Sequence, residues 1–377
     1  MTTATVEAPT MVMPKLDKLE KVYVIWLAGG SCDGCSISVL GATNPPLEHL
    51  LAGLVPGLPQ LVLWHTVLSL ESGRDYLKGL YAAERGELQP YVVVLEGSVT
   101  NEAQIKDGSY NKGSGGFYIA IGEENGRPIT TTEWLDRLCP GAAAVFAIGT
   151  CATWGGVPAA EGNATGAMGL MDHLGKDFRS KYGLPVINVP GCAPIGDNFI
   201  ETVASVLLFL QGLTPLPEFD ELGRPAWLFG ETVHRGCTRA GFYEEGIFAK
   251  EYGDKECLVE LGCWGPVVAC NMASRGAING VGGCMQMGGV CIGCTMPGFP
   301  DKFSPAFAKP PGAEISALLA KRIAGTFIRP LRAITGRDKD RSIRWTKEVP
   351  SGWAARGAPS VFDSAVNFFY KRIQKSR

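Results

Sequence analysis

The sequence predicts an α/β protein in which a parallel sheet, covered by helices on both faces, precedes an irregular region ordered by bound metal. Three observations point there. Short apolar runs alternate with helix-like stretches through the first half of the chain. After about Gly212 that alternation stops and a glycine- and cysteine-rich stretch begins. Twelve cysteines lie in 377 residues, several of them directly after the apolar runs.

The apolar runs read as buried strands. They are KVYVIWLAGG (Lys21–Gly30), QLVLWHT (Gln60–Thr66), YVVVLEGS (Tyr91–Ser98), AAVFAIGT (Ala143–Thr150) and PVINVPG (Pro185–Gly191). Each is apolar, often β-branched, and ends on Gly, Thr or another polar residue. Between them, Ser36–Leu54, Thr132–Leu138, Gly166–Tyr182 and Asp197–Leu210 carry helical periodicity. Strands that alternate with helices build a parallel sheet with both faces covered. The proline-rich GLTPLPEFDELGRPAW then reads as a linker. From there to about Phe303 the chain has too little periodicity to be ordered by packing alone, and metal-binding energy is folding energy. Four segments result: a flexible leader (1–20), a sheet domain (21–212), a metal-ordered domain (213–312) and a basic amphipathic extension (313–377).

Composition narrows the function. Hydrophobic residues make up 46% and charged residues 19%, which suits a sizeable core. A net charge of −2 argues against nucleic acid as the main partner. No run of about 20 apolar residues marks a transmembrane helix. The N-terminus shows neither a basic-then-apolar signal pattern nor a twin-arginine pair, so the expected location is cytoplasmic. The cytosol keeps thiols reduced, which makes metal binding or redox chemistry the leading use of the cysteines. The basic extension reads as a tail packed on a partner or on its own domain. The alternative is contact with an anionic membrane surface on the cytoplasmic side.

The cysteines fall into groups. Cys32 and Cys35 follow the first strand, and Cys151 and Cys192 each follow a later one. In an open parallel sheet ligands gather at the carboxyl ends of the strands, so these four thiols are expected to converge. His234 and Cys237, at i and i+3, precede Cys257 and Cys263. One His with three Cys suits either zinc or an iron–sulfur cluster. Cys270, Cys284, Cys291 and Cys294 form a third group, and Cys139 is left as a small buried hydrophobe. Ligand type alone does not separate zinc from iron–sulfur. Three adjacent sites point to iron–sulfur, because a row of redox centres conducts electrons whereas three zincs would only staple the fold.

The motifs CDGCS, EGS, IGTCATWGGVPAA, VPGCAP, HRGC, LGCWGP and CIGCTMPGFPDKF stand in this order across Val22–Phe303. Together they resemble the small, electron-transfer subunit of a NiFe hydrogenase, in particular its oxygen-tolerant actinobacterial-type uptake branch. The resemblance implies a flavodoxin-like domain followed by an irregular iron–sulfur domain. It also implies a large partner subunit holding the nickel–iron site, in a heterodimer or a dimer of heterodimers. Electrons from H2 would pass through three clusters to an external acceptor, quinone-linked or another redox protein. Carried over by position, Cys32, Cys35, Cys151 and Cys192 would hold a proximal 4Fe–4S cluster. His234, Cys237, Cys257 and Cys263 would hold a distal 4Fe–4S cluster. Cys270, Cys291 and Cys294 would hold the medial cluster.

Departures from the family pattern sharpen the expectation. Many members have a medial 3Fe–4S cluster and a proline near the position of Cys284. The thiol here predicts a medial 4Fe–4S cluster, with a free thiol beside a 3Fe–4S cluster as the alternative. Asp33, between two ligand cysteines, is an alternative proximal ligand. Gly34 and Gly156 stand where one oxygen-tolerant branch carries extra cysteines. Glu96, in the EGS motif, is an interface candidate with either a structural or a proton-handling role. The rival readings are the iron–sulfur subunit of another respiratory oxidoreductase and a zinc-stapled adaptor.

Overall fold

The computed structural model describes residues 19–105 and 116–303. The expected leader and the basic extension 313–377 lie outside the described residues, apart from the last two positions of the leader.

The central sheet has five parallel strands. These are β1 (Lys21–Ala28), β2 (Gln60–His65), β3 (Tyr91–Glu96), β6 (Ala144–Ile148) and β7 (Val186–Val189), in spatial order β2-β1-β3-β6-β7. Strands β4 (Ala120–Glu124) and β5 (Arg127–Thr130) form a separate antiparallel hairpin. Leaving the hairpin aside, this is the flavodoxin-like order, which reverses direction between β1 and β3. β3, β6 and β7 are buried along their whole lengths, which is why they read as unbroken apolar runs.

Alternate residues serve opposite faces. Val92 and Val94 join Trp26, Phe146 and Ile148 against one helical layer. That layer comprises α1 (Gly34–Leu40), α2 (Leu47–Leu51) and, later in the chain, the helix Gly196–Leu210. Val93 and Leu95 join Ile25, Leu27 and Val145 against the other. There lie α3 (Gly73–Glu84), α4 (Thr131–Leu138) and α6 (Leu170–Leu174), with the short α5 (Gly149–Trp154) leaving the end of β6. The long helix Gly196–Leu210 is α7.

Several elements differ from the sequence expectation, the β4–β5 hairpin among them. Ser36–Leu54 is not one helix, because Pro45 and Pro46 break it into α1 and α2. The carboxylate of Asp197 accepts the amides of Thr43 (2.7 Å) and Asn44 (3.0 Å) at that break. Gly166–Tyr182 keeps only the five-residue α6, which stops at Gly175. Helix α3 was not expected, although Tyr76, Leu77, Leu80 and Ala83 follow Ser72 at helical spacing and are buried.

Beyond α7 the regular elements are brief: α8 (Ala226–Phe229), α9 (Val233–Gly236), α10 (Ala240–Glu245) and α11 (Met272–Arg275). Their core gathers Val233, Trp264, Val268, Met285, Met296 and Phe303 around cysteines. Side chains tie this part to α7. Asn198 pairs with Asn271 (2.8 Å), and Arg275 reaches Glu201 at 2.5 Å.

The Asp220–Arg224 turn covers the outer edge of β7, with the Asn188 amide donating to the Gly223 carbonyl (2.8 Å). Arg224 is fully buried, and its guanidinium pairs with Asp220 at 2.8 Å. Removing one partner of a buried ion pair strands the other in a low-dielectric interior. Asp220→Ala should therefore cost about 3–5 kcal/mol, read as a lowered denaturation midpoint in urea.

Candidate metal centres

Four thiols meet at the carboxyl edge of the sheet. Cys32 and Cys35 flank the start of α1, Cys151 lies in α5, and Cys192 follows β7. Their mutual proximity shows electrostatically: Cys35 is acted on by Cys151, Cys32 and Cys192, and Cys192 by Cys32. Burial pushes the Cys35 thiol far above its ordinary value, and Glu96 and the neighbouring thiols push the same way. Cys151 rises to about 11, again mainly from burial, although the Val157 amide opposes the shift. The glycine that opens α5 is required by close approach. Gly149 has φ of +82°, and a Cβ there would sit 2.3 Å from the Cys35 sulfur. At Gly156 (φ +56°) a Cβ would lie 2.9 Å from the Cys151 backbone and sulfur, so an extra side chain does not fit without a shift. The carboxylate of Asp33 acts on His65, whereas the charges acting on Cys35 come from Glu96 and the other three thiols.

Behind this site Glu96 ends β3 with 1% exposure. Its carboxylate accepts the amides of Cys35 (2.9 Å) and Ser36 (3.2 Å), the Trp26 indole N–H (3.1 Å) and the Ser36 hydroxyl. The Ser36 Oγ lies 2.9 Å from Nε2 of His65. Nδ1 of His65 accepts the amides of Val67 (3.0 Å) and Leu68 (3.2 Å), which assigns the ring proton to Nε2. His65 Nε2–H therefore donates to Ser36, and Ser36 donates to Glu96. The imidazole also stacks on Trp26 with centroids 5.0 Å apart. Glu96 thus fixes the backbone of a candidate ligand from inside the sheet.

The third cysteine group lines a cavity. Cys270, Cys284, Cys291 and Cys294 face it together with Gly191 and Pro194 from the loop that carries Cys192. Cys291 is buried and Cys284 is the exposed member. Burial lifts Cys270 to about 11, opposed by the amide of Met272 and by Arg224. Cys284 acts on Cys270 and Cys294, and also on Cys263 of the next group.

His234, Cys237, Cys257 and Cys263 line a second cavity with Arg239, Gly265 and Met285. His234 is held in place through its amide to Gly265 (3.0 Å), and its ring meets Tyr243 edge-on at 4.6 Å. Burial lifts Cys257 to about 12. Arg239 donates its amide to the Cys237 sulfur (3.4 Å) and places its guanidinium on the carbonyls of Asp254 (2.6 Å) and Glu256 (2.8 Å). Cys139 is fully buried in the sheet core, apart from all three groups.

The donor sets, thiols with one imidazole, have the chemistry that iron–sulfur clusters take. The His234 set and the Cys270 set each line a cavity. Backbone amides donate to sulfur at Cys237, Cys270 (from Met272, 3.4 Å) and Cys263 (from Cys291, 3.3 Å). Such donors stabilise thiolate charge around a cluster and tune its potential. Sequence reasoning missed Arg239 and His65, which lie outside the motifs, and Ser36, which sits inside CDGCS beside more conspicuous cysteines.

The chain is similar to known proteins over most of its length. Residues 229–307 match the family model for the C-terminal region of the NiFe/NiFeSe hydrogenase small subunit. Residues 32–206 match that for the NADH ubiquinone oxidoreductase 20 Kd subunit. The chain is 31% identical over 306 residues to the periplasmic NiFeSe hydrogenase small subunit of Desulfomicrobium baculatum, covering 79% of this chain and 91% of that one. It is 34% identical over 282 residues to the hydrogenase-2 small chain of Escherichia coli K12, covering 73% and 67%. Among solved structures it superposes on the actinobacterial-type NiFe-hydrogenase of Ralstonia eutropha H16 with a TM-score of 0.77 and 48% identity, covering 89% of this chain and 96% of that one.

Burial lowers the His65 pKa from its ordinary value of 6.5, against smaller opposing effects of Glu96 and Asp33. In the window just below pH 6.5 the unfolded chain binds a proton on this imidazole that the folded chain does not. Folding stability should therefore fall as pH drops below about 6.5. Equilibrium unfolding across pH 7 to 5 checks this, and His65→Gln should flatten that part of the profile.

Proposed function

Because the chain belongs to the NiFe-hydrogenase small-subunit family, we propose that it relays electrons through three iron–sulfur clusters held by the donor sets described above. Clusters bound there would supply one-electron carriers, with potentials set by ligand type, hydrogen bonds to sulfur and exposure. The observation that carries the reading is the row formed by the three sets. The Cys192 loop lines the medial cavity, and the Cys291 amide donates to Cys263 of the distal set.

The roles of the residues follow from their places. Cys32, Cys35, Cys151 and Cys192 hold the proximal cluster, and Glu96 fixes the backbone at Cys35 and Ser36. Cys270, Cys284, Cys291 and Cys294 hold a medial 4Fe–4S cluster. His234, Cys237, Cys257 and Cys263 hold the distal cluster, with Arg239 placing positive charge beside Cys237 and Cys257. Family members pair with a large hydrogenase subunit. Ile37, Leu40 and Val157 are exposed apolar side chains next to proximal ligands, and Cys32 and Cys192 are themselves exposed. That face suits a large, partly apolar subunit interface. An external acceptor, quinone-linked or another redox protein, would meet the opposite end at the distal set. We place the complex in the cytoplasm, where twelve reduced thiols are kept. Cell fractionation tests that location, and vesicle flotation tests contact of segment 313–377 with an anionic membrane.

Anaerobically purified complex should contain iron rather than zinc, absorb broadly near about 400 nm, and reduce a dye with H2. A colourless, zinc-loaded protein would reject the electron-relay reading in favour of a stapled adaptor.

Ligand sets are tested one at a time. The oxidised wild-type complex should lack a strong 3Fe–4S EPR signal. Cys284→Ala should produce that signal from the medial site and lower the iron count by about one per complex, since a cubane corner loses its thiolate. A strong wild-type signal would instead make Cys284 a free thiol. Asp33→Ala leaves the proximal spectra unchanged if the four thiols are the whole set, and alters them if the carboxylate takes part.

A further inference from the structure

Helix α5 carries one proximal cysteine, Cys151, and its other side chains reach the medial set. The Thr150 hydroxyl donates to the carbonyl of Cys294. The same oxygen accepts the amide of Gly191 at 3.0 Å, and the Thr150 amide donates to the Gly191 carbonyl at 3.0 Å. Gly191 immediately precedes Cys192. One buried hydroxyl is therefore bonded both to a medial ligand residue and to the neighbour of a proximal one. One turn further along α5, the Trp154 indole N–H donates to the Thr295 carbonyl at 3.2 Å. The Thr295 hydroxyl continues to the Ala269 carbonyl at 2.8 Å, next to Cys270.

The consequence appears at sulfur. The Cys192 thiol, from the proximal set, acts electrostatically on the Cys294 thiol of the medial set, so the two sets are neighbours here. Nothing regular holds the Gly293–Thr295 segment in register for this contact, since it lies between glycine-rich turns. The holding comes from α5.

We propose that Thr150, seconded by Trp154, is the positioning residue that sets the spacing between the proximal and medial ligand sets. This rests on the electron-relay reading. Thr150 touches no reacting atom. It acts by fixing how the Cys294 backbone stands against the loop that carries Cys192. Moving one against the other changes the charges and donors around a ligand sulfur, and these set a cluster's potential.

The test compares Thr150→Val, Thr150→Ser and wild type as intact complexes with the large subunit. Valine keeps the branched shape and loses both hydroxyl bonds, whereas serine keeps them. Redox titration followed by EPR should show the medial midpoint shifted in Thr150→Val, with the distal midpoint unmoved and Thr150→Ser at the wild-type value. We expect about a tenfold shift in the electron's equilibrium between these clusters, equivalent to 59 mV for one electron. The ratio of H2-driven dye reduction to hydrogen-isotope exchange should fall in Thr150→Val alone. Iron content near wild type certifies that the clusters are loaded. Should Thr150→Val fail to load, Trp154→Phe, which loses only the indole donor, should show the same direction with a smaller shift. Unmoved medial midpoints in the loaded variants would overturn the assignment of Thr150 while leaving the relay intact. Absence of iron from the wild-type complex would overturn the relay itself.

Discussion

A thiolate taken out of water must be met by positive charge or by hydrogen-bond donors, and this requirement arranges more of the chain than any helix or strand does. Burial raises Cys35, Cys257, Cys270 and Cys291 well above the ordinary thiol range. Such thiols lose their protons only when something cationic takes their place, so assembly of these sites is coupled to pH and to metal. The backbone then follows the sulfurs. Amides of Val157, Met272 and Arg239 turn toward them, and the helices between are only four to six residues long. In the sheet domain apolar packing holds the ligands. In the second domain the ligands are a large part of what holds the packing.

The sequence was most legible where local pattern and function coincide. All five sheet strands are announced by apolar runs, and three of them deliver cysteines to one edge. His234 is conspicuous because HRGC puts it beside a thiol at short range. Legibility fails where the partners are distant. Glu96, Ser36 and His65 belong to three separate elements, and no spacing rule joins them. Arg224 looks like an ordinary polar linker residue, yet it is fully buried because Asp220 lies one turn away and compensates its charge. Thr150 is hidden by its neighbour, since any reader of GTCATWGG looks at the cysteine. The broken helix at Pro45–Pro46 was readable, and the apolar residues on both sides masked it.

The two halves of the molecule are not joined by a simple linker. Asn198–Asn271 and Arg275–Glu201 fasten the second domain to α7, while Thr150 and Trp154 fasten it to α5. Both helices leave the same edge of the sheet, so the donor sets inherit their spacing from the most rigid part of the fold. Hinge motion between the halves would break side-chain bonds on two sides at once, which favours a fixed relay over a moving one.

The turn Asp220–Arg224, lying along β7, has a consequence for assembly. Open sheet edges invite strands of neighbouring molecules, and a covered edge refuses them. With the Asn188 amide of β7 taken up by the Gly223 carbonyl beside a buried guanidinium, sheet-to-sheet pairing is opposed on that flank. Among the described residues β2 is the other edge strand of this sheet. Backbone pairing of one copy onto another is therefore directed toward the β2 side.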